Sequence, residues 1–309
     1  MRATKTPVFL PLFYLFFLLG IDLDKIIYYN LNVMVRSISE VVTINAHAKV
    51  NLTLEITGVD ERGYHLLNSI VTEVPNLYDV VTLKKREDKN VSVSYVNGER
   101  FDNDTARKMG ELIIDRYDVN GVDIVIDKRI PIGAGLGGSS ADAGAVARGM
   151  QELYSLPTIA DDLMNAVGAD VKYMYVGGDK VMKGQGEILE EITLPKLNVA
   201  ILYQDGLEVS SRDAYKTYDR IGEEDVEKSD FLTKGECFNA LEKSAVALCK
   251  GIRTNLDVMK YAGFDSYTIT GSGSAVIGLC KSRLALADAL AKARLLIGDS
   301  RKTLISFTK

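Results

Sequence analysis

Histidine is almost missing from this chain of 309 residues: His47 and His65 are the only two. A His-rich metal site is thereby excluded. Cysteine is scarce as well. Cys237, Cys249 and Cys280 form an odd set without metal-ligand spacing. They read as reduced core residues of a cytosolic protein, not as a disulfide framework. An excess of positive charge is also lacking. The formal net charge of −5 argues against a general nucleic-acid binder, which would carry a basic surface. There is no internal repeat and no low-complexity linker. What the chain does have is 47% hydrophobic residues, enough for a substantial core. Its length suits one large or two modest domains, at about 100–200 residues each.

The longest apolar run, residues 8–21 (VFLPLFYLFFLLGI), follows Arg2 and Lys5. It resembles the core of a signal peptide and falls short of the ~20 residues of a membrane span. No small-residue cleavage pattern follows it. Residues 22–33 are rich in Ile, Tyr, Asn, Lys and Asp, and Met34 comes next. The expectation is that residues 1–33 are an apolar extension from a start assigned too far upstream, with Met34 opening a self-contained protein. A membrane anchor is the alternative.

Val50, Leu52, Leu54 and Ile56 alternate with Asn51, Thr53, Glu55 and Thr57, the period of a half-buried strand. Lys49 falls on the face of Asn51 and Thr53, where a lysine taken alone reads as a solvated edge residue. Further strands are expected at 41–45, 69–74, 80–84 and 91–96. Asn103 can cap a helix through Ala106, Met109, Leu112, Ile113 and Arg116. A strand at 122–127 leads to a glycine-rich loop, a helix over 139–154 and a second helix over 158–167. Short strands are expected near 171–176, 180–183 and 188–192. The pattern then begins again, with a strand at 197–203, a helix at 211–219 and a solvated charged run at 223–228. Helices at 235–250 and 255–262, a strand–loop–strand over 267–280, a helix at 284–296 and a strand at 303–307 complete it. This mixture indicates an α+β fold of two lobes, 34–182 and 183–309, with a boundary near Met182.

The most informative stretch runs from Lys128 to Gly144 (KRIPIGAGLGGSSADAG). Glycines let successive backbone N–H groups converge, because no Cβ blocks the approach. The following helix adds unpaired N–H groups and a positive dipole end. Together they make a seat for a polyanion such as a nucleotide triphosphate. It is not a Walker A loop, since no Lys follows the last Gly. Gly133, Gly135 and Gly138 satisfy the dinucleotide pattern, but Lys128–Ile132 separates them from the strand, and a helix follows downstream where that motif needs a second strand. Ser139 and Ser140 could donate to phosphate oxygens or help hold Mg²⁺, or one of them could simply cap the helix. Asp170 in Gly168-Ala169-Asp170-Val171 reads alone as a turn acid. Thr270-Gly271-Ser272-Gly273-Ser274-Ala275 could be a hairpin with a glycine bend or a second backbone approach to phosphate.

In this order the motifs resemble those of the GHMP kinases. The likeness covers residues 44–279 or so. Within that superfamily they are most similar to the kinases of cytidyl methylerythritol in non-mevalonate isoprenoid synthesis. That narrower likeness rests on Ala48-Lys49-Val50-Asn51-Leu52-Thr53-Leu54 with Gly63-Tyr64-His65, on Lys128-Arg129-Ile130-Pro131 with the glycine loop, and on Gly168-Ala169-Asp170-Val171 with Gly184-Gln185-Gly186-Glu187. It rests also on Val209-Ser210-Ser211-Arg212-Asp213-Ala214-Tyr215, Asn239-Ala240-Leu241-Glu242 and Thr270-Gly271-Ser272-Gly273-Ser274. Three departures stand out. Lys172 stands where that family has Pro, Ala240 where it has Asp, and the loop has one Gly fewer before its hydroxyls.

The resemblance implies an α+β kinase with an N-terminal lobe like the second domain of ribosomal protein S5 and an α/β C-terminal lobe. Asp170 would accept or orient the proton of the attacking substrate hydroxyl. Lys49 would stabilise charge beside that oxygen. ATP would be held by Lys128, Pro131, Gly133, Ala134, Gly135, Leu136, Gly137, Gly138, Ser139 and Ser140, by Asn103, and by Gly271, Ser272 and Gly273. Mg²⁺ would bridge its phosphates, with Ser139 or Ser140 as a possible ligand. Tyr64 and Tyr215 would sandwich a cytosine ring and His65 would bond its edge, with Asn51 in the same substrate set. The expected partner is a small-molecule cytidine diphosphate, with no nucleic acid and no membrane unless the extension is real. The expected protein is cytoplasmic, as a monomer or homodimer. Another alcohol kinase of the superfamily (mevalonate, sugar or homoserine type) and a catalytically silent nucleotide binder remain the alternatives.

Overall fold

The computed structural model describes residues 40–98, 101–222, 231–298 and 301–309. The apolar extension and the charged run at 223–228 lie outside the described residues. In chain order the first elements are β1 (Val41–Asn51), β2 (Thr53–Val59), β3 (His65–Lys85), β4 (Val91–Tyr95), α1 (Thr105–Tyr117) and β5 (Val122–Asp127). There follow α2 (Gly138–Leu153), α3 (Asp161–Val167), α4 (Val171–Val176), β6 (Lys180–Gly184), β7 (Ile188–Glu191), β8 (Asn198–Gln204) and α5 (Ser211–Ile221). The last are α6 (Phe231–Lys234), β9 (Phe238–Asn239), α7 (Glu242–Leu248), α8 (Gly251–Ala262), β10 (Ser266–Ile269), β11 (Val276–Leu279), α9 (Arg283–Leu296) and β12 (Lys302–Thr308).

Two sheets organise these elements. β1 to β7 with β9 form an eight-stranded sheet in which the long β3 pairs with β1, β2, β5 and β6. β10, β11, β8 and β12 form a second, antiparallel sheet in that order. Met182 lies within β6, in the larger sheet. No helix of the described residues is long and apolar enough to cross a membrane.

β3 replaces the two strands expected at 69–74 and 80–84. The register jumps from His47↔Tyr78 to Ala48↔Val74, so residues 75–77 bulge out. A bulge is where a strand tolerates a proline such as Pro75. The bulge has a consequence on the facing strand. β1 alternates in exposure up to His47, and from Ala48 to Asn51 it is buried on both faces. Lys49 is therefore an interior residue, 4% exposed, and not a solvated edge residue. At Leu52 the chain bends, and the single strand expected through Ile56 becomes β1 and β2.

Three more expectations are corrected. Asp104, not Asn103, caps α1, accepting the Arg107 backbone N–H at 3.0 Å. Residues 171–176 form a helix, not a strand. Their aromatic and β-branched composition favours a strand, but packing overrides it: Gly144 of α2 lies so close that a Cβ there would stand 2.8 Å from the Met174 backbone. The helix expected over 235–250 is interrupted, because Phe238 and Asn239 pair with Thr53 and Leu54 of β2. This parallel contact ties the two halves of the chain together.

Candidate active site

A cleft of about 1070 Å³ opens between the glycine loop, β1, the Ala169–Asp170 turn ahead of α4, α5 and the loop between β10 and β11. All the residues assigned from the sequence to catalysis, nucleotide or substrate line this cleft, apart from Gly273.

Lys49 and Asp170 are 121 positions apart in sequence, yet Lys49 Nζ lies 3.5 Å from Asp170 Oδ2. Three features aim the lysine. Its backbone N–H donates to the Leu136 carbonyl at 3.0 Å. Its ammonium donates to Asn51 Oδ1 at 2.5 Å. Asn51 in turn donates its side-chain amide to Ser69 Oγ at 2.7 Å, and its backbone N–H to Thr270 Oγ1 at 2.9 Å. Asn51 thus positions Lys49 as well as lining the cleft. Asp170 sits at the start of the six-residue α4 with its side chain 29% exposed, open to an incoming hydroxyl.

The two glycine loops pack on each other. Gly135 has φ +77° and Gly271 φ +57°. A Cβ on Gly271 would stand 2.8 Å from the Gly135 carbonyl oxygen and 3.2 Å from Lys49 Nζ. The Ala275 N–H donates to the Ala134 carbonyl at 3.0 Å and so pins one loop to the other. Asn239 holds the second loop, donating to the Gly271 carbonyl at 2.9 Å and the Ile269 carbonyl at 3.1 Å. Gly137 caps α2, so Ser139 and Ser140 lie in that helix's first turn, where N–H groups remain free for an anion.

Behind the loop sits a buried charge cluster absent from the sequence reading. Lys128 bonds Asp79 at 2.5 Å and Asp142 at 2.7 Å. Asp79 also accepts the backbone N–H groups of Arg129 and Ile130. Lys128 is thus fastened at the base of the glycine loop while it lines the cleft. Burial pushes the Asp142 carboxyl up to about 8, Asp79 adds to the rise, and Lys128 opposes it. Burial also works against the Lys128 charge, but its two carboxylates outweigh it and raise the lysine.

At the far end of the cleft, Tyr64 and Tyr215 both reach the wall. The Arg62 guanidinium lies over the Tyr64 ring at 5.3 Å. His65 stacks on Tyr215, with centroids 4.8 Å apart and planes at 22°. Burial raises the Tyr215 phenol, with the Asp170 charge adding to it. Asp219, a residue without a motif, accepts from His65 Nε2 at 2.7 Å.

Among the described residues no group of three or more His, Cys, Asp or Glu could hold a metal. Mg²⁺ on a nucleotide keeps waters and phosphate oxygens and takes few protein ligands. The hydroxyls of Ser139 and Ser140 and the unpartnered Asp142 Oδ1 belong to residues on the cleft wall.

Residues 104–180 match the family of GHMP kinases N terminal domains, and residues 223–295 that of GHMP kinases C terminal domains. The 4-diphosphocytidyl-2-C-methyl-D-erythritol kinase of Macrococcus caseolyticus is 36% identical over 254 residues, which cover 76% of this chain and 89% of that protein. A crystal structure of 4-(cytidine 5′-diphospho)-2C-methyl-D-erythritol kinase superposes with a TM-score of 0.71 at 27% identity, covering 86% of this chain and 98% of the other. Homoserine kinase from Cytophaga hutchinsonii shares the fold, with a TM-score of 0.62 at 16% identity over 88% of this chain and 95% of its own.

Proposed function

The chain belongs to the 4-diphosphocytidyl-2-C-methyl-D-erythritol kinase family of GHMP kinases, and we propose that it transfers the γ-phosphoryl group of ATP to the 2-hydroxyl of that cytidyl alcohol. The observation that carries the reading is the Lys49–Asp170 pair, 3.5 Å apart beside two interlocked glycine loops. ATP lies with its phosphates against the glycine loop and the first turn of α2. The substrate lies with its base between Tyr64 and Tyr215 and its 2-hydroxyl at Asp170.

In the step itself the hydroxyl oxygen bonds to the γ-phosphorus as the bond from phosphorus to the bridging oxygen breaks, and ADP leaves. The hydroxyl proton passes to Asp170. Lys49 offsets the negative charge that gathers around the attacking oxygen. Most of the rate comes from positioning and charge stabilisation, as phosphoryl transfer requires. Ser139 or Ser140 would hold Mg²⁺ together with the ATP phosphates, and the ion would supply charge neutralisation for the transferring phosphoryl group.

The test is direct. Purified protein is offered ATP with the cytidyl alcohol, mevalonate, homoserine or galactose in turn. Transfer to the cytidyl alcohol is expected. Transfer only to one of the others would overturn the substrate. ATP binding without transfer to any of them would make the chain a silent nucleotide binder.

A further inference from the structure

The aromatic end of the cleft contains a polar tie that the phosphoryl-transfer mechanism does not use. Tyr215, Tyr218 and Asp219 occupy positions i, i+3 and i+4 of α5, which place them on one helical face. All three meet His65. Its ring stacks on Tyr215 at 4.8 Å, meets Tyr218 edge-on at 6.0 Å, and bonds Asp219 Oδ1 through Nε2 at 2.7 Å. The histidine side chain is 12% exposed and lines the cleft, whereas Asp219 reaches towards solvent at 58%.

An ionised carboxylate only accepts hydrogen bonds. The Nε2 atom must therefore carry the hydrogen, and Asp219 selects that tautomer. In the neutral ring Nδ1 is then a bare acceptor, and it has no protein hydrogen-bond partner among the described residues. An acceptor in this place favours a base edge that presents a donor, such as the exocyclic amino group of cytosine. It opposes one that presents an oxygen in the same position, as uracil does. A mismatched buried pair of acceptors loses its bond and leaves both groups unpaired.

We infer that Asp219 is a positioning residue for base recognition, fixing His65 as a hydrogen-bond acceptor so that the cleft prefers a 4-amino pyrimidine to a 4-oxo pyrimidine. The inference rests on the functional reading above. It adds a residue from outside the recognised motifs and gives it a role exerted through His65 rather than by contact with the base.

The test uses the full chain and its Asp219→Ala variant, with cytidine 5′-diphosphate and uridine 5′-diphosphate as calorimetric probes. Nitrogen-15 NMR of the imidazole reports the tautomer. Wild type is expected to favour the cytidine nucleotide by about tenfold or more, the scale of one mismatched hydrogen bond, with His65 in the Nε2–H form. Asp219→Ala should lose most of that preference and show mixed tautomers. Its kcat at saturating substrate should stay close to wild type while KM for the cytidyl alcohol rises. A preference that survives intact in Asp219→Ala overturns the inference and leaves the functional reading standing. A wild type that binds the two nucleotides equally overturns both.

Discussion

Replacing Gly271 by alanine probes the interlock of the two loops, and Gly263 provides the control. Both glycines have left-handed backbone, with φ +57° and +87°. An L-residue there costs roughly 1–2 kcal/mol. They differ in surroundings. A Cβ on Gly263, at the end of α8, meets nothing within 4 Å. One on Gly271 would lie 2.8 Å from the Gly135 carbonyl oxygen and 3.2 Å from Lys49 Nζ. Carbon and oxygen rest no closer than about 3.3 Å even in weak hydrogen bonds, so the loops must part by roughly half an ångström, and Lys49 must move with them. A displacement of about 1 Å at reacting groups can cost 10²-fold in rate. Gly271→Ala should therefore lose about ten- to a hundredfold in kcat/KM, and Gly263→Ala only stability. Steady-state kinetics and urea unfolding on both variants give the comparison. A Gly271→Ala enzyme with wild-type kcat/KM, or a Gly263→Ala enzyme equally impaired, would show that the loop contact does not set the place of Lys49.

Two further outcomes are expected. A carboxyl raised on folding confers stability that is full below its unfolded value of about 4 and is lost as pH rises through its folded value. Because Asp142 sits at about 8, the native chain should lose stability relative to Asp142→Asn as pH climbs across that interval. Parallel thermal-unfolding midpoints for the two proteins from about pH 5 to 8 would contradict this. Tyr64→Ala and Tyr215→Ala should each weaken binding of the cytidyl substrate by ~1–3 kcal/mol, the worth of stacking on one base, with little change in KM for ATP. An unchanged substrate KM would count against the aromatic sandwich.

The motifs of this chain were legible because each is a local run: a glycine loop, a Gly-Ala-Asp turn, a Thr-Gly-Ser-Gly turn. The supports were not, because their partners lie far away in sequence. Asp79 reaches Lys128 across 49 residues and Asp219 reaches His65 across 154. Asn239 meets Gly271 across 32. Asp79 and Asp219 have no neighbouring signature that sets them apart from a solvated polar residue, and the Asn239 phrase carries no sign of the loop it holds. The interior place of Lys49 was hidden for a related reason. It follows from a bulge on β3, where two separate strands, 69–74 and 80–84, were expected. Val171–Val176 has strand composition and is helical because Gly144 of α2 admits its backbone closely. That helix then delivers Asp170 to Lys49, so the element read least well from sequence places one of the two residues assigned to catalysis.

In the proposed reaction Asp170 takes the proton of the attacking hydroxyl beside Lys49. Single-turnover transfer from ATP by Asp170→Asn measures it most directly. Unfolding and ATP affinity should be native, with the chemical step slowed by about 10²–10⁴, the usual contribution of a general base. Transfer at the native rate by that variant would contradict it.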